Sequence, residues 1–176
     1  MDGIRNVVIN NFRGINHLSI DDFSRINVFL GQNSTGKSSV LECLLLIMGM
    51  SNPDLPQLIN SIRSRSFSGL SDIRYMFHNY SMSDRPEIAS ELFDGSSRHL
   101  MLDMAYVFNN QVNSDSQSGK IPTSETKTFL NTLKMMFDVE SNHQQDSYEC
   151  SVTINQQGVI SNKKFAEGYL EKNSVA

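Results

Sequence analysis

The stretch Gly31-Gln32-Asn33-Ser34-Thr35-Gly36-Lys37-Ser38 decides the fold of this chain. It fits the pattern GxxxxGK[ST] without a mismatch. Glycines let the backbone wrap closely around a phosphate group, and the successive N–H groups then form an anion-binding nest. Lys37 would place a positive charge on the terminal phosphates, and the Ser38 hydroxyl would be a ligand for Mg²⁺. We therefore predict a site for nucleotide phosphates, with ATP and Mg²⁺ as the expected cofactors.

The residues on either side of this loop support the interpretation. Arg25 to Leu30 ends in three consecutive apolar residues and predicts a strand that is covered on both faces. Lys37 to Met48 predicts a helix, whose positive dipole end would face the same phosphates. The apolar residues that share one face of this helix are Leu41, Leu44, Leu45 and Met48. A plain glycine turn between strand and helix is the alternative interpretation.

Composition is that of a globular domain. Of the 176 residues, 39% are hydrophobic and 19% are charged, which disfavours a disordered or fibrous chain. No apolar run approaches the roughly 20 residues needed to cross a bilayer, and the N-terminus lacks a signal-peptide pattern. A cytoplasmic location without membrane contact is therefore expected. The net charge of −4 gives no overall attraction to nucleic acid.

The cysteines and histidines indicate neither a disulfide framework nor a zinc site. Cys43 and Cys150 are far apart in the sequence and show no CxxC spacing. Cys43 lies in an apolar helical stretch, so we expect a buried free thiol. The four histidines show no ligand spacing.

The remaining chain is predicted to alternate between strands and helices. Strands are predicted at 7–9, 18–20, 100–108 and 148–154, the last forming a hairpin with 159–160. Helices are predicted at 55–62, 70–77 and 85–93. A further helical stripe comprises Phe129, Leu130, Leu133, Met136 and Phe137. The polar stretch 109–127 has no periodicity and is predicted to be a flexible loop.

The start of the chain resembles the N-terminal part of the SMC/RecF/OLD group of ABC-type ATPases, often called AAA family ATPases. In that group a strand containing an Asn-Phe-Arg-Gly turn, here residues 11–14, precedes the glycine loop. The likeness extends through the helix as far as Glu42, and the combination is more specific than either half. Ser34 stands where many relatives have glycine.

The resemblance implies an α/β fold: the N-terminal lobe of a P-loop NTPase, with a mixed sheet, flanking helices and antiparallel strands. It implies that Phe12 packs the opening turn and that Arg13 approaches the nucleotide opposite Lys37. A surface arginine is the alternative for Arg13. With Arg13, the expected cofactor contacts are Gly31, Gln32, Asn33, Ser34, Thr35, Gly36, Lys37, Ser38 and Ser39, and Ser38 is the expected metal ligand. Asn33 would face a partner subunit.

Hydrolysis in this group requires features that this sequence does not clearly show. They are an apolar strand that ends in Asp-Glu and an LSGG-like signature donated across a dimer. Phe67 to Leu70 resembles the signature only superficially, and Leu133 to Asp138 is interrupted by Lys134. His78 and Asn79 are weak candidates for the polar loop that senses the γ-phosphate, with a solvent-exposed turn as the alternative. No catalytic residue is assigned.

We expect residues 1–176 to form a single ATPase lobe that is part of a longer chain. By the resemblance, the full-length protein would dimerise through the nucleotide site and act on DNA or drive an attached effector, as in DNA repair or anti-phage defence. The alternatives are a nucleotide-binding regulatory module without turnover and an ABC transporter subunit. A GTPase is disfavoured because no NKxD motif is present.

Overall fold

Strands and helices were assigned in a computed structural model, which describes residues 3–63, 73–110, 127–154 and 160–169. Their order is β1 (Ile4–Phe12), β2 (Ile15–Ile20), α1 (Lys37–Met48), α2 (Leu55–Ile62), β3 (Glu87–Leu92), β4 (Ser97–Asn110), β5 (Lys127–Ser141), β6 (Gln144–Ile154) and β7 (Ile160–Lys164). The predicted helices at 37–48 and 55–62 are confirmed, as are the strands at 7–9, 18–20, 100–108 and 148–154, which are longer than predicted.

The strands form one sheet in the order β2-β1-β3-β4-β5-β6-β7. Every pairing among the described strands is antiparallel, so the expectation of a mixed sheet is wrong for this part of the chain. Connectivity explains most of these pairings, because strands that follow each other closely in sequence pair as hairpins. The β1–β3 pair is the exception, since β2 and both helices lie between these strands in the chain. Strands β6 and β7 form the predicted hairpin, whose turn lies outside the described residues.

The predicted strand Arg25 to Leu30 is not part of the sheet. Its apolar side chains are open to solvent, with Ile26 81%, Val28 74% and Leu30 88% exposed. Phe29 is the exception: it is partly buried and contacts the ring of Phe23 edge-on. An apolar stretch becomes a strand only when a neighbour accepts its backbone hydrogen bonds, and no described strand lies beside this one.

Two predicted helices are strands. The stretch 85–93 contains β3, in which Ile88, Ser90 and Leu92 are buried on alternate positions of one face. The stripe from Phe129 to Phe137 lies in β5, where Leu133, Met135 and Phe137 are buried. This burial has the period of two that defines a strand. Each of these strands is hydrogen-bonded on both sides, so tertiary pairing overrode the local helical pattern.

Two further predictions lie partly outside the described residues. Of the predicted helix 70–77, residues 70–72 are not described, and Phe77 makes an isolated antiparallel bridge with Phe12. Of the predicted loop 109–127, residues 111–126 are not described, and its end residues belong to β4 and β5.

Helix α1 packs on one face of the sheet, against β1, β3 and β4. Its buried residues are Ser39, Val40, Glu42, Cys43, Leu46 and Ile47. Of the predicted apolar face, Leu41, Leu45 and Met48 are exposed instead. Cys43 and Cys150 are buried free thiols, and burial raises the pKa of Cys150 to about 12. None of the described helices is long and apolar enough to cross a membrane.

Candidate functional site: the glycine loop and its cavity

The glycine loop turns sharply into helix α1. Gly36 is the N-cap of the helix and has a φ of 92°, a left-handed conformation that a side chain would strain. Ser34 also has a positive φ of 65°. That conformation explains why glycine suits this position in related loops, and Ser34 adopts it at some cost. The amide groups at the start of α1 are thereby directed to the loop.

Lys37 is held over the loop by the loop itself. Its Nζ atom donates to the carbonyl oxygens of Gly31 at 2.7 Å and Gln32 at 2.5 Å. The Thr35 hydroxyl donates to the Gln32 carbonyl at 2.9 Å. These contacts place the ammonium group at the centre of the loop, where the phosphate-binding pattern requires a cation.

A cavity of about 630 Å³ opens beside the loop. It is lined by Arg13, Gly14, Arg63 and the loop residues Asn33, Ser34, Thr35, Gly36, Lys37, Ser38 and Ser39. Three of these residues are cationic and none is acidic. With the N-terminus of α1 at the same place, the cavity suits an anionic ligand.

A buried carboxylate organises the two arginines. Glu42, on α1, contacts Arg13 Nε at 2.6 Å and Arg63 Nε at 2.5 Å. Arg13 also donates from Nη2 to Asn60 Oδ1 of α2 at 2.8 Å, and Arg63 donates from Nη2 to Ser39 Oγ at 3.4 Å. Arg13 and Glu42 are each 9% exposed. The network therefore joins the β1–β2 turn, α1 and the end of α2 behind the cavity.

Of the predicted contact residues, Arg13 and residues 33–39 line this cavity. Gly31 and Gln32 do not line it, and their carbonyl oxygens accept from Lys37. Ser38 is exposed at the start of α1, whereas Ser39 is buried beneath the loop. Arg13 reaches the cavity from the β1–β2 turn, but its side chain is engaged by Glu42 and Asn60. Nucleotide contact by each of these residues stays a prediction.

Sequence reasoning missed Arg63 and the role of Glu42. Arg63 follows α2 and belongs to no motif; its nearness to Arg65 in the sequence indicates only an ordinary basic surface. Glu42 belongs to the recognised stretch, and its position three residues after Ser39 on a helix places the two side chains on the same face. Only the fold shows that its partners are arginines from two other segments.

None of the described candidates for hydrolysis and γ-phosphate sensing lines the glycine-loop cavity itself. Asp138 is on β5 and faces His99 of β4 at 3.6 Å, outside the residues that line the cavity. Residues 67–70 lie outside the described part of the chain. His78 Nδ1 is 2.9 Å from the carbonyl oxygen of Arg13, and Asn79 is exposed.

The glycine loop and the helix that starts from it are the features of a P-loop nucleotide-binding domain. Comparison with known proteins agrees: the model of a family described as the AAA ATPase domain matches residues 3–174, so the chain belongs to that family. The prediction of a P-loop ATPase is thereby confirmed, and family membership indicates ATP binding.

Two relatives share parts of the sequence. The chain is 27% identical over 145 residues to an ATP/GTP phosphatase of Helicobacter pylori, covering 81% of this chain and 38% of that protein. It is 42% identical over 45 residues to an uncharacterized protein of Methanocaldococcus jannaschii, covering 26% of this chain and 20% of that protein. The chain therefore spans well under half the length of either relative.

Proposed function

We propose that this chain is the nucleotide-binding lobe of an ABC-type ATPase of the SMC/RecF/OLD kind. The observation that carries the proposal is the acid-free cavity in which Lys37, Arg13 and Arg63 surround the N-terminal end of α1. Such a constellation neutralises the charges of a nucleoside triphosphate. The P-loop backbone would hold the phosphates, and Lys37 would exchange its loop carbonyls for terminal phosphate oxygens.

The site also fits Mg²⁺. Magnesium keeps several waters and is usually bound through few protein ligands together with substrate phosphates. Ser38 lines the cavity with its side chain exposed, and its hydroxyl is the group that would hold the ion. Glu42 is engaged by two arginines and does not compete for it. When bound, the metal supplies charge neutralisation at the phosphates.

The exposed apolar segment before the loop supports the proposal that this lobe is only part of the ATPase domain. Ile26, Val28 and Leu30 would be covered by further strands of the same ATPase, which would run beside them. Those strands would carry the acidic residues for hydrolysis. A second lobe would close on the exposed loop at Asn33, and ATP-driven dimerisation would then act on DNA or on an attached effector, in DNA repair or anti-phage defence.

A regulatory module that clamps ATP without turnover is the second candidate. It is favoured by the lack of any carboxylate among the residues that line the cavity in the described structure. The two candidates share the binding step and differ only in whether hydrolysis follows.

Calorimetric titration with ATP, with and without Mg²⁺, tests the shared step. We expect Lys37→Ala to weaken ATP binding about 10- to 100-fold, because it removes a charge-assisted contact. Lys134→Ala is the matched control, since Lys134 pairs with Glu149 on the sheet away from the cavity. Equal ATP affinity in the wild type and Lys37→Ala would refute the proposal.

A turnover assay with the same proteins tests whether hydrolysis follows ATP binding in this chain. We expect little or no phosphate release by this chain alone. Brisk hydrolysis that depends on Lys37 would show that a catalytic carboxylate is present in the chain after all, and would exclude the clamp.

A further inference from the structure

A second, smaller cavity of about 250 Å³ adjoins the phosphate cavity. The two cavities share Arg13, Gly14 and Arg63 as lining residues, so they meet at the two arginines. The remaining lining residues of the smaller cavity are Tyr75, Phe77, Asn79 and Tyr80. A cationic cavity thus adjoins a cavity with aromatic lining residues.

The aromatic wall of the smaller cavity is unusually open. Tyr80 is 61% exposed, and its ring meets that of Tyr75 edge-on, with centroids 5.3 Å apart. Phe77 is buried behind them. An exposed aromatic ring next to a cationic site is the arrangement on which nucleic-acid bases stack, with arginine adding a cation–π contact.

The turn that presents Tyr80 is held in an uncommon conformation. Asn79 and Tyr80 follow each other with positive φ values of 50° and 58°. Asparagine tolerates this region, whereas a tyrosine there is strained. Strained backbone conformations persist only where the surrounding structure holds them in place, and they are concentrated at ligand sites.

The surroundings that hold this turn are also the wall of the phosphate cavity. His78 Nδ1 lies 2.9 Å from the carbonyl oxygen of Arg13, and the Arg13 amide donates to the Met76 carbonyl at 3.0 Å. Phe77 pairs with Phe12 in an isolated bridge. These contacts connect the turn that carries Tyr80 to the segment that carries Arg13. They therefore fix the distance between the two cavities.

Asn79 carries the hydrogen-bonding groups needed to recognise the edge of a nucleobase. Its side chain is exposed in the smaller cavity, and a carboxamide offers a donor and an acceptor side by side. That pair matches the amino group and ring nitrogen on one edge of adenine.

We propose that the smaller cavity is the subsite for the purine base of the nucleotide. Tyr80 stacks on the base, Asn79 bonds to its edge, and Arg63 lies between the base and the phosphates. This inference rests on the proposed function, because it places the base relative to phosphates held by the glycine loop. It goes further in assigning the base contacts to the segment 75–80.

Titration with ATP and with inorganic triphosphate tests the subsite, since only ATP carries a base. We expect Tyr80→Ala to weaken ATP binding about 5- to 100-fold and to leave triphosphate binding unchanged. Lys37→Ala should weaken both ligands. Phe165→Ala is the matched control, because Phe165 is 56% exposed and lines neither cavity.

The outcomes separate this inference from the proposed function. If wild type binds triphosphate as tightly as ATP, or if Tyr80→Ala weakens both ligands equally or neither, the base subsite is refuted while the phosphate site stands. If Lys37→Ala leaves both affinities unchanged, the proposed function fails, and with it the placement of the base.

A tryptophan reporter gives an independent readout. The chain contains no tryptophan, so Tyr80→Trp introduces a single indole while retaining an aromatic face. We expect its fluorescence to change on addition of ATP or GTP but not of triphosphate, and the ratio of the two nucleotide affinities measures the preference for adenine. An equal change with triphosphate would contradict stacking.

Discussion

Strand β1 and the segment before the glycine loop carry similar apolar residues, but their environments are opposite. Val7 and Ile9 in β1 are fully buried between β2 and β3. Ile26, Val28 and Leu30 are mostly exposed and have no described strand beside them. Strand β1 therefore has hydrogen-bonded neighbours and buries its apolar side chains, whereas the segment that leads into the loop lacks a described strand neighbour and exposes most of its apolar side chains.

The two regions are also held by different forces. The sheet is stabilised by ladder hydrogen bonds and by burial of apolar side chains on the face that α1 covers. Behind the loop, a single carboxylate, Glu42, connects α1 to Arg13 and Arg63. The loop region thus depends on a few charged contacts, whereas the sheet depends on many backbone and apolar contacts.

The largest expected effect of a single change in this comparison is at Glu42. Glu42→Gln should lower the free energy of unfolding by about 2–4 kcal/mol, because it leaves the buried Arg13 without its countercharge. Urea unfolding measures the loss. The matched control is Glu149→Gln, whose partner Lys134 is only partly buried and whose pair is worth at most about 1 kcal/mol. Equal losses in the two variants would show that the network does not hold the loop region.

A valine pair tests the difference between the two apolar segments directly. Val7→Thr should lower the free energy of unfolding by about 1–3 kcal/mol, because it buries a hydroxyl in the core. Val28→Thr should change it by less than about 0.5 kcal/mol, since that side chain is exposed. Thermal or urea unfolding of both variants is sufficient. A large loss at Val28 would mean that this segment is packed in the isolated chain.

The smallest expected effect is a gain at Ser34. Ser34→Gly should raise the free energy of unfolding by up to about 1 kcal/mol, because relief of the left-handed conformation outweighs the added freedom of the unfolded chain. Ser19→Gly, in strand β2, should have the opposite sign. A loss of stability in Ser34→Gly would show that the loop is not strained at this residue.

Local patterns were sufficient for the parts of the molecule that depend on near neighbours. Helices α1 and α2 have the predicted bounds, because their hydrogen bonds join residues four apart and their first turns are marked by Gly36 and Pro56. The glycine loop also depends on residues nearby in sequence, since Lys37 bonds to carbonyls only five and six residues earlier.

Prediction from local patterns failed in β5, where the hydrophobic residues fit both the period of a helix and the period of a strand. In β5, Leu130, Leu133 and Phe137 suit a helical face, while Leu133, Met135 and Phe137 suit one face of a strand. Pairing with β4 and β6 on either side decided between them. Information of that kind lies in other parts of the chain and is not present within the stretch itself.

The site likewise has a part that the local sequence specifies and a part that only the fold assembles. Residues 31–38 specify a phosphate loop from their own order, because glycine conformations, the lysine and the hydroxyl act within one turn of chain. The cationic wall and the aromatic cavity do not follow from any stretch of residues. Arg13, Glu42, Arg63 and Tyr80 come from four segments, and only folding of α1 and α2 against the antiparallel sheet brings their side chains together.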